Sequence, residues 1–372
     1  MKRRREDLKE HLWRILVVYM SRLNHHLCTH ELSKSPLLYC LTHLFCCNPC
    51  ADTFNKRIFF DGYIECYNII YSLTLKVSLG LHKLTIGIPT FNEGQNILNL
   101  LKALVTNTSK DYIISEIIIS DDSSDNTPQI VDKFLRNSLL NVQFIHHRSR
   151  RGAAAAWNEI FERSTGDIIV LYDADIIVGR DCTQRLVSSI QGKIGLCASN
   201  PKPIQVKGLV AGASIFISDW LRSVRNNQLS QYTVMGRALS IRSDIARKIS
   251  IPSDIIAIDL YIQCKVLECN SDVVYNDNAI VYFYPPNIIS DFASQVLRAF
   301  SGHKQIRNCI ERFKISLSPN VGLIEIIRNA IANPLGALSL LACCASVPFY
   351  KFKLKDTKSA KWHTAKSTKL RL

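Results

Sequence analysis

Two acidic pairs have the residue types and spacing that could do chemistry. Asp173 and Asp175 follow the apolar run 168–172, which has the composition of a buried strand. Carboxylates two residues apart at a strand end can face one site and bind a hard divalent cation through oxygen. Such a cation can bridge the phosphates of a nucleotide and neutralise a departing diphosphate. The spacing alone also fits two acids in a solvated loop, but its position directly after the predicted strand favours a Mn²⁺ or Mg²⁺ site at Asp173 and Asp175.

The second pair, Asp121 and Asp122, also ends an apolar run. A carboxylate at that position can accept hydrogen bonds from a base or a ribose. The same residues also fit a strand-end turn in which Asp125 caps the next helix, and Asp122 can bind while Asp125 caps. Glu93, just after an earlier apolar run, has both interpretations too, and we favour a role beside the ligand.

A basic cluster stands before a predicted helix. Arg148, Arg150 and Arg151 precede Gly152, and the helix 152–163 follows directly. Positive charge and free backbone N–H groups at a helix start attract phosphate. A solvated basic loop explains the cluster equally well. His146 and His147, immediately before it, are interpreted as loop residues and not as metal ligands.

The elements that must position these residues alternate between strands and helices. Apolar β-branched runs predict strands, and stretches with helical spacing of apolar residues predict helices between them. Four such units predict a doubly wound, mostly parallel α/β sheet, with both acidic pairs at the carboxyl ends of strands, where ligands bind. The predicted strands are 84–88, 116–120, 142–145 and 167–172, followed more loosely by 194–199, 237–241, 272–275 and 279–284.

The chain divides into three parts. Residues 1–82 form an extension of unknown role, 83–310 the α/β domain, and 311–372 an apolar helical segment and a basic tail. The whole chain has 372 residues, 47% of them hydrophobic, and a formal charge of +15, which excludes a disordered protein. Much of the charge is in the tail from Lys351, which holds eight Lys or Arg against Asp356 alone.

The tail and the segment before it predict a membrane-proximal end. The run 331–349 approaches bilayer thickness but is interrupted by Asn333, Pro334 and Pro348. A spanning helix and an interfacial or re-entrant helix are both open. Beside an apolar segment, the basic tail fits an anionic membrane surface better than nucleic acid, which predicts a location on the cytoplasmic side of a membrane.

The thirteen cysteines predict reduced thiols. No signal peptide opens the chain, so a cytosolic environment without disulfides is expected. A zinc site at Cys47 and Cys50, with Cys28 or His30, is an alternative for some of them.

Four motifs together resemble the inverting, nucleotide-sugar-dependent family 2 glycosyltransferases of GT-A fold. They are 86–93, 117–127, 151–158 and 166–175. The resemblance implies sugar transfer from a UDP-sugar, more than a GDP-sugar, to a lipid-linked or saccharide hydroxyl. It also implies that Asp175 binds the metal and that Asp173 contacts the metal or ribose. The residues it implies along the nucleotide are Pro89, Thr90, Glu93, Asp122, Arg151 and Asp173.

The resemblance implies catalytic residues in the second half of the domain. Asp259 matches the acid that activates the acceptor, although Ile258 replaces the preceding acid and Asp254 is a nearby competitor. Gln295 and Arg298 match part of a Gln-x-x-Arg-Trp motif, and both would lie on one helix face. Ala299 replaces its tryptophan, which argues against processive synthesis.

Two other functions fit parts of the sequence. A sugar nucleotidyltransferase would have a similar architecture, but it favours a glycine-rich loop after the first strand, and 89–94 contains only Gly94. A catalytically silent scaffold that binds nucleotide and membrane would explain the missing acid before Asp259. The four retained aspartates, Asp122, Asp173, Asp175 and Asp259, favour an enzyme.

Overall fold

The structure is a computed structural model of the chain. It describes residues 81–353, with gaps at 107–108, 110, 137, 139, 228–236 and 316–318, together with residue 368. The N-terminal extension, the alternative zinc ligands and most of the basic tail lie outside the described residues.

A mixed eight-stranded sheet forms the centre of this part of the chain. Its strand order is β3-β2-β1-β4-β7-β6-β8-β5. Neighbours β3-β2, β2-β1, β1-β4 and β6-β8 are parallel, and β4-β7, β7-β6 and β8-β5 are antiparallel. The strands are β1 (His82–Thr90), β2 (Tyr112–Asp121), β3 (Val142–His146), β4 (Ile168–Tyr172), β5 (Ile176–Val178), β6 (Ile194–Pro203), β7 (Ala238–Arg242) and β8 (Asp272–Phe283).

Helices cover the sheet, and the helices nearest the C-terminus of the chain pack on one another. The described helices are α1 (Ile97–Thr106), α2 (Thr127–Leu135), α3 (Ala153–Arg163), α4 (Cys182–Ser188), α5 (Leu209–Asn227), α6 (Ser243–Ala246), α7 (Ile258–Glu268), α8 (Ile289–Gln305), α9 (Arg307–Arg312), α10 (Pro319–Ala332) and α11 (Pro334–Lys353). The predicted βα units of the first half are confirmed.

The central strands are apolar because both sheet faces are buried. In β4, Ile168, Val170 and Tyr172 pack on one face, with α1 and α4. Ile169 and Leu171 point to the other face, with α3 and α7. This alternation follows from the two-residue period of a strand, and burial on both sides explains why β4 reads as a continuous apolar run. Its polar continuation, 173–175, is thereby set at the edge of the core.

One expectation about the strands of the second half is corrected. The strands predicted at 272–275 and 279–284 are one strand, β8, which continues through the polar residues 276–278 with an irregularity in its pairing to β6. Asp277 accepts hydrogen bonds there from Arg222 Nε at 2.7 Å, Arg222 Nη2 at 2.6 Å and Asn200 Nδ2 at 3.0 Å. These contacts satisfy a carboxylate that would otherwise favour a turn.

The expectation of reduced thiols is wrong for one pair. Cys264 of α7 and Cys309 of α9 form a disulfide. The sequence did not indicate this pair because the two residues are 45 positions apart and meet only when α9 packs on α7. Cys182, Cys197, Cys269, Cys343 and Cys344 of the described chain are free thiols.

The C-terminal helices form a small bundle around Val210, Ala213, Phe292 and Cys343. Within the described residues no helix alone has the length and hydropathy to cross a membrane. The segments Pro319–Ala332 and Pro334–Tyr350 meet that criterion only as a pair, bent by 119°. The bend falls at Asn333 and Pro334, two of the residues that interrupt the apolar run in the sequence.

Replacing Glu116 with leucine is expected to destabilise the sheet. Its buried carboxylate accepts hydrogen bonds from Thr85 Oγ1 at 2.6 Å, Thr165 N at 2.6 Å and Gln143 Nε2 at 3.0 Å. Loss of the acceptor leaves buried donors without partners, which lowers the free energy of unfolding by roughly 3 kcal/mol. Urea denaturation measures this change. Glu162→Leu, at an exposed position, is the control, and equal midpoints for the two variants would contradict the prediction.

Candidate functional site

The loops after β1 and β2 are joined by hydrogen bonds into one rigid edge. Thr90 Oγ1 donates to Asp121 Oδ1 at 2.6 Å, and the backbone N–H of Asp122 donates to the Thr90 carbonyl at 3.1 Å. Asn92, which adopts a positive φ of 56°, accepts from the backbone N–H of Ser124 at 2.8 Å. Pro89 and Thr90, predicted to lie along a nucleotide, are therefore at the carboxyl end of β1 beside β2.

Asp121 is fully buried beneath this edge. Its Oδ2 lies 2.7 Å from His146 Nδ1, and its Oδ1 also accepts a hydrogen bond from Ser123. His146 ends β3, so the contact ties the third strand to the loops above the first two. Asp121 is thus a structural anchor, and His146, interpreted from the sequence as a loop residue, is part of that anchor.

Asp122 fixes the start of α3. Its Oδ2 accepts from the backbone N–H groups of Arg151 at 2.6 Å and Gly152 at 2.8 Å, and Arg151 Nε donates to Oδ1 at 3.1 Å. Gly152 has a φ of 100°, a backbone conformation that glycine adopts without strain. Asp125 Oδ1 accepts from the backbone N–H of Thr127, the first residue of α2, at 3.0 Å. Asn126 and not Asp125 holds the capping position, and no side chain makes a capping hydrogen bond there, so the predicted cap is not formed.

Glu159 on α3 is the centre of a second polar cluster. It accepts hydrogen bonds from Ser120 Oγ at 2.7 Å and Arg151 Nη2 at 2.9 Å, and it lies 3.0 Å from His147 Nε2. Burial opposes its ionisation, but these hydrogen bonds and the charge of Arg151 outweigh burial and lower the pKa of Glu159 to about 2. Arg151 is therefore held between two carboxylates, Asp122 and Glu159.

Arg150 lies above an aromatic ring at the same edge. Its guanidinium carbon is 3.9 Å from the centre of the Phe91 ring, a cation–π contact. Burial lowers the pKa of Arg150, and the charge of Asp122 opposes that effect. The planar pair of Phe91 and Arg150 forms a surface on which a flat ring could stack.

Acidic residues converge where β4 ends. Arg237 Nη1 is 3.3 Å from Asp175 Oδ1, and the guanidinium lies 4.0 Å from the centre of the Phe283 ring. Burial raises the pKa of Asp173 well above its ordinary value, and the charges of Asp175, Asp259 and Glu93 raise it further while Arg237 opposes them. The structure therefore brings four predicted site residues into one electrostatic cluster.

Arg298 faces the same cluster from α8. Burial lowers the pKa of Arg298 to about 10, while the charges of Asp259 and Asp173 counteract that effect. Gln295 lies one turn earlier on α8 and is half-buried. The predicted competitor Asp254 is exposed, and its carbonyl and Oδ2 accept from Gln305 Nε2 at 2.8 and 3.3 Å. The charge of Asp259 is among those that raise the pKa of Asp173.

A close helix contact sets the separation of Asp259 and Arg298. A β-carbon added to Gly302 of α8 would lie 2.7 Å from the β-carbon of Ala257, so only glycine allows this approach. Ala257 precedes α7, whose first turn contains Asp259, and Gly302 is one turn beyond Arg298. The contact therefore fixes the face of α8 that is turned toward Asp259.

The acidic pair fits a cation that also binds a phosphorylated ligand. In the described part of the chain, no group of three or more His, Cys, Asp or Glu has metal-binding geometry. Mg²⁺ and similar ions are often held by only one or two carboxylates, with substrate phosphates and water completing the coordination. Asp173 and Asp175 provide that number of carboxylates.

Three residues of the site had no distinct signal in the sequence. Glu159 lies within a helix pattern, Arg237 immediately precedes β7, and His147 lies in a polar turn. Their roles depend on contacts across the sheet, which a single sequence does not specify.

Known proteins share the motif-bearing segment of this chain. Residues 85–240 match the family described as Glycosyl transferase family 2. A poly-beta-1,6-N-acetyl-D-glucosamine synthase from Staphylococcus aureus (strain COL) is 28% identical over 177 residues, covering 43% of this chain and 42% of that protein. A synthase of the same name from Staphylococcus epidermidis is 24% identical over 224 residues, covering 58% and 53%. The chain thus spans about half the length of these curated relatives.

A solved structure shares the fold. It is a mannosyltransferase from Pyrobaculum calidifontis in complex with GDP-Man and Mn²⁺, with a TM-score of 0.51 and 17% sequence identity, covering 79% of this chain and 92% of that one. At this level of identity the likeness concerns the fold alone. The predicted fold class, an α/β domain of GT-A type, is confirmed.

Glu159→Gln is expected to lower stability at neutral pH and to matter less in acid. A carboxylate whose pKa is lowered in the folded state stabilises it above the unfolded pKa, and that contribution is lost as the pH falls through the folded value. For Glu159 the ordinary value is 4.5 and the folded value is about 2. Melting temperatures of both proteins at about pH 7, 5 and 3 measure the difference.

The exposed neighbour on α3 provides the control for that comparison. Glu162→Gln should leave the melting temperature unchanged at each pH. A deficit of Glu159→Gln that stays constant from neutral to acid pH would contradict the proposed charge cluster.

Proposed function

We propose that this chain, whose residues 85–240 match the family described as Glycosyl transferase family 2, transfers a sugar from a nucleoside diphosphate sugar to an acceptor hydroxyl, with inversion at the anomeric carbon. One observation gives this reaction its main support. Asp173, Asp175 and Asp259 gather with Arg237 and Arg298 at the carboxyl ends of the central strands. This cluster combines a base, a cation-binding pair and positive charge for a leaving group.

Asp259 is the proposed base. It removes a proton from the acceptor hydroxyl as that oxygen attacks the anomeric carbon from the face opposite the leaving group. Its position in the first turn of α7 and its effect on both Asp173 and Arg298 support this role. Asp254, exposed and bonded to Gln305, has no comparable coupling to the cluster.

Arg298 and Gln295 are proposed to act on the departing diphosphate or the acceptor. A buried guanidinium that is next to carboxylates supplies positive charge where negative charge develops on the leaving group. The lowered pKa of Arg298 leaves it protonated at neutral pH, because the folded value is about 10. Gln295, one turn away on the same helix face, can donate a hydrogen bond to the same group.

The nucleotide is proposed to lie along the edge formed by Pro89, Thr90 and Glu93. Asp122 Oδ1 accepts one hydrogen bond, from Arg151 Nε at 3.1 Å, and its second lone pair is the proposed acceptor for a donor of the base. Arg151 orients Asp122, and Asp173 lies nearer the ribose and phosphates. This arrangement assigns the predicted nucleotide-binding residues to one continuous edge of the sheet.

Asp173 and Asp175 are the proposed ligands of Mn²⁺ or Mg²⁺. Such an ion, when bound, would neutralise charge on the diphosphate. Arg237 holds Asp175 in place through the 3.3 Å contact and is itself held against Phe283. The protein therefore keeps the two carboxylates together despite their mutual repulsion.

A UDP-sugar is the proposed donor, and a lipid-linked or saccharide hydroxyl the proposed acceptor. The staphylococcal relatives are named for a polymer of N-acetylglucosamine, which makes the UDP form of that sugar the first donor to test. Ala299, in place of the tryptophan of polymer-forming members, favours addition of single sugars.

An anionic membrane surface is the proposed site of action, on its cytoplasmic side. Helices α10 and α11 expose large apolar side chains, among them Ile331 at 79%, Leu335 at 76% and Leu338 at 62% exposure. The sequence that follows carries eight Lys or Arg against one Asp. An apolar face and positive charge in succession match an interfacial segment, and lipid-linked acceptors would be presented at that surface.

Asp259→Asn is expected to abolish turnover, whereas replacement of Asp254 is not. We expect nucleoside diphosphate release from a panel of UDP- and GDP-sugars, with Mn²⁺ or Mg²⁺ and saccharide or lipid acceptors, to fall by roughly 10²-fold or more in this variant. Asp175→Ala should fail equally, because the cation loses a ligand. Asp254→Asn, the matched control, should stay close to the wild-type rate.

Equal rates in Asp254→Asn and Asp259→Asn would exclude Asp259 as the base. If no donor turns over in the wild-type protein although nucleotide binds, the catalytically silent scaffold replaces the transferase as the better explanation.

Ile331→Asp together with Leu338→Asp is expected to weaken membrane binding. The two aspartates remove the favourable free energy of transferring these apolar side chains into the membrane interface. The fraction of the protein that sediments with phosphatidylglycerol vesicles should therefore fall about fivefold or more. Val105→Asp, at an exposed apolar position on α1, is the control. Sedimentation that is unchanged in the double variant would rule out this face as the membrane contact.

A further inference from the structure

A polar cavity lies between α5 and α10, apart from the acidic cluster. Its volume is about 440 Å³, within the range of small-molecule sites, which is roughly 300–1,000 Å³. Asp219, Ser223 and Asn226 of α5 line one wall, and Asn329, Ala332 and Asn333 line the other. Most of these side chains carry hydroxyl, amide or carboxylate groups, so the cavity is built for hydrogen bonding.

The lining offers little positive charge to an anionic ligand. Arg222 is its cationic residue, and both Nε and Nη2 donate to Asp277, at 2.7 and 2.6 Å. Asp219 adds a carboxylate at the same wall. A phosphate would meet this carboxylate without an uncommitted cation. Asn329 Nδ2 donates to Ser223 Oγ at 3.1 Å and to the Glu325 carbonyl at 2.7 Å, so the lining offers acceptors more than donors. Neutral hydroxyls can donate to the carboxylate and to amide oxygens. The chemistry therefore selects a neutral polyhydroxylated group.

The mouth of the cavity adjoins the apolar face of the bent helix pair. Ala332 and Asn333 lie at the elbow between α10 and α11, next to Ile331 and Leu335, which are exposed at 79% and 76%. A polar pocket beside such a face matches a molecule that is polar at one end and apolar at the other. The polar end enters the pocket while the apolar end lies along the helices.

The cavity wall is physically continuous with the proposed catalytic cluster. Arg222 of the cavity is bound to Asp277 of β8, and β8 ends at Phe283, whose ring holds Arg237 against Asp175. Helix α8, which carries Arg298, packs on α11 and α5. A ligand held between α5 and α10 therefore rests on the elements that support the reaction centre.

From this geometry we propose that the cavity binds a neutral saccharide of an amphiphilic acceptor. The proposal rests on the transferase function and deepens it, since it names the part of the acceptor that is recognised. In this site the sugar hydroxyls donate hydrogen bonds to the Asp219 carboxylate and to the amide oxygens of Asn226 and Asn329, and the apolar portion of the acceptor lies against Ile331 and Leu335.

Ala332→Trp tests the site because it fills the cavity mouth from an exposed position. The full-length protein is titrated with octyl β-D-glucoside below its micelle concentration, and binding is followed by saturation-transfer NMR of the sugar protons. We expect the affinity to fall at least about tenfold, equivalent to ~1.4 kcal/mol. Ala345→Trp, an exposed position on α11 that does not line the cavity, should bind as the wild type does.

Octyl phosphate separates recognition of the sugar from recognition of the alkyl chain. Its binding should be the same in the wild-type protein and Ala332→Trp. The proposal is overturned if octyl glucoside fails to bind the wild-type protein, if Ala332→Trp leaves its affinity unchanged, or if octyl phosphate loses affinity equally in that variant.

The test also distinguishes this site from the proposed function, because binding requires no donor. If a donor is turned over but octyl glucoside does not bind, the saccharide site is contradicted and the transferase function is supported. If octyl glucoside binds, its affinity falls in Ala332→Trp and no donor is turned over, the saccharide site is supported and the transferase function is contradicted. In an active protein, Ala332→Trp should raise the KM for a glycoside acceptor and leave the KM for the donor unchanged.

Discussion

Repulsion among carboxylates at one end of the sheet is the constraint on which the site depends. Burial raises the pKa of Asp173, and the charges of Asp175, Asp259 and Glu93 raise it further. Arg237 and Arg298 offset this charge from the strand and helix that face it. A like-charged cluster is costly in a buried setting unless cations compensate it. The compensation is partial, which leaves the cluster suited to an additional cation and to a phosphorylated ligand.

The remaining structure keeps this cluster from relaxing. On the nucleotide side, Asp121 links Thr90 to His146, and Asp122 holds the start of α3. On the acceptor side, the contact of Gly302 with Ala257 sets α8 against α7. Because these ties are hydrogen bonds and close packing within elements of the sheet and its helices, the reacting groups are positioned before a ligand arrives.

The sequence was sufficient for the fold of the first half, because a parallel sheet that is buried on both faces leaves a strong pattern. Strands such as β4 read as apolar runs, and the acidic pairs follow them directly. The second half was less predictable. Polar residues in the middle of β8 suggested a break, since their partner Arg222 is 55 positions away. Arg237, Glu159 and the disulfide were missed for the same reason, because each depends on a contact distant in sequence. Asp259 was found through resemblance to a family motif, and its environment then separated it from Asp254.

The affinity for Mn²⁺ in the presence of UDP tests the central claim most directly. Paramagnetic resonance of free Mn²⁺ would be followed during titration of the wild-type protein, Asp175→Asn and Asp259→Asn. The account predicts at least about tenfold weaker binding for Asp175→Asn and a smaller loss for Asp259→Asn, because the first removes a ligand and the second only a neighbouring charge. Equal Mn²⁺ affinity in Asp175→Asn and the wild-type protein would contradict the account.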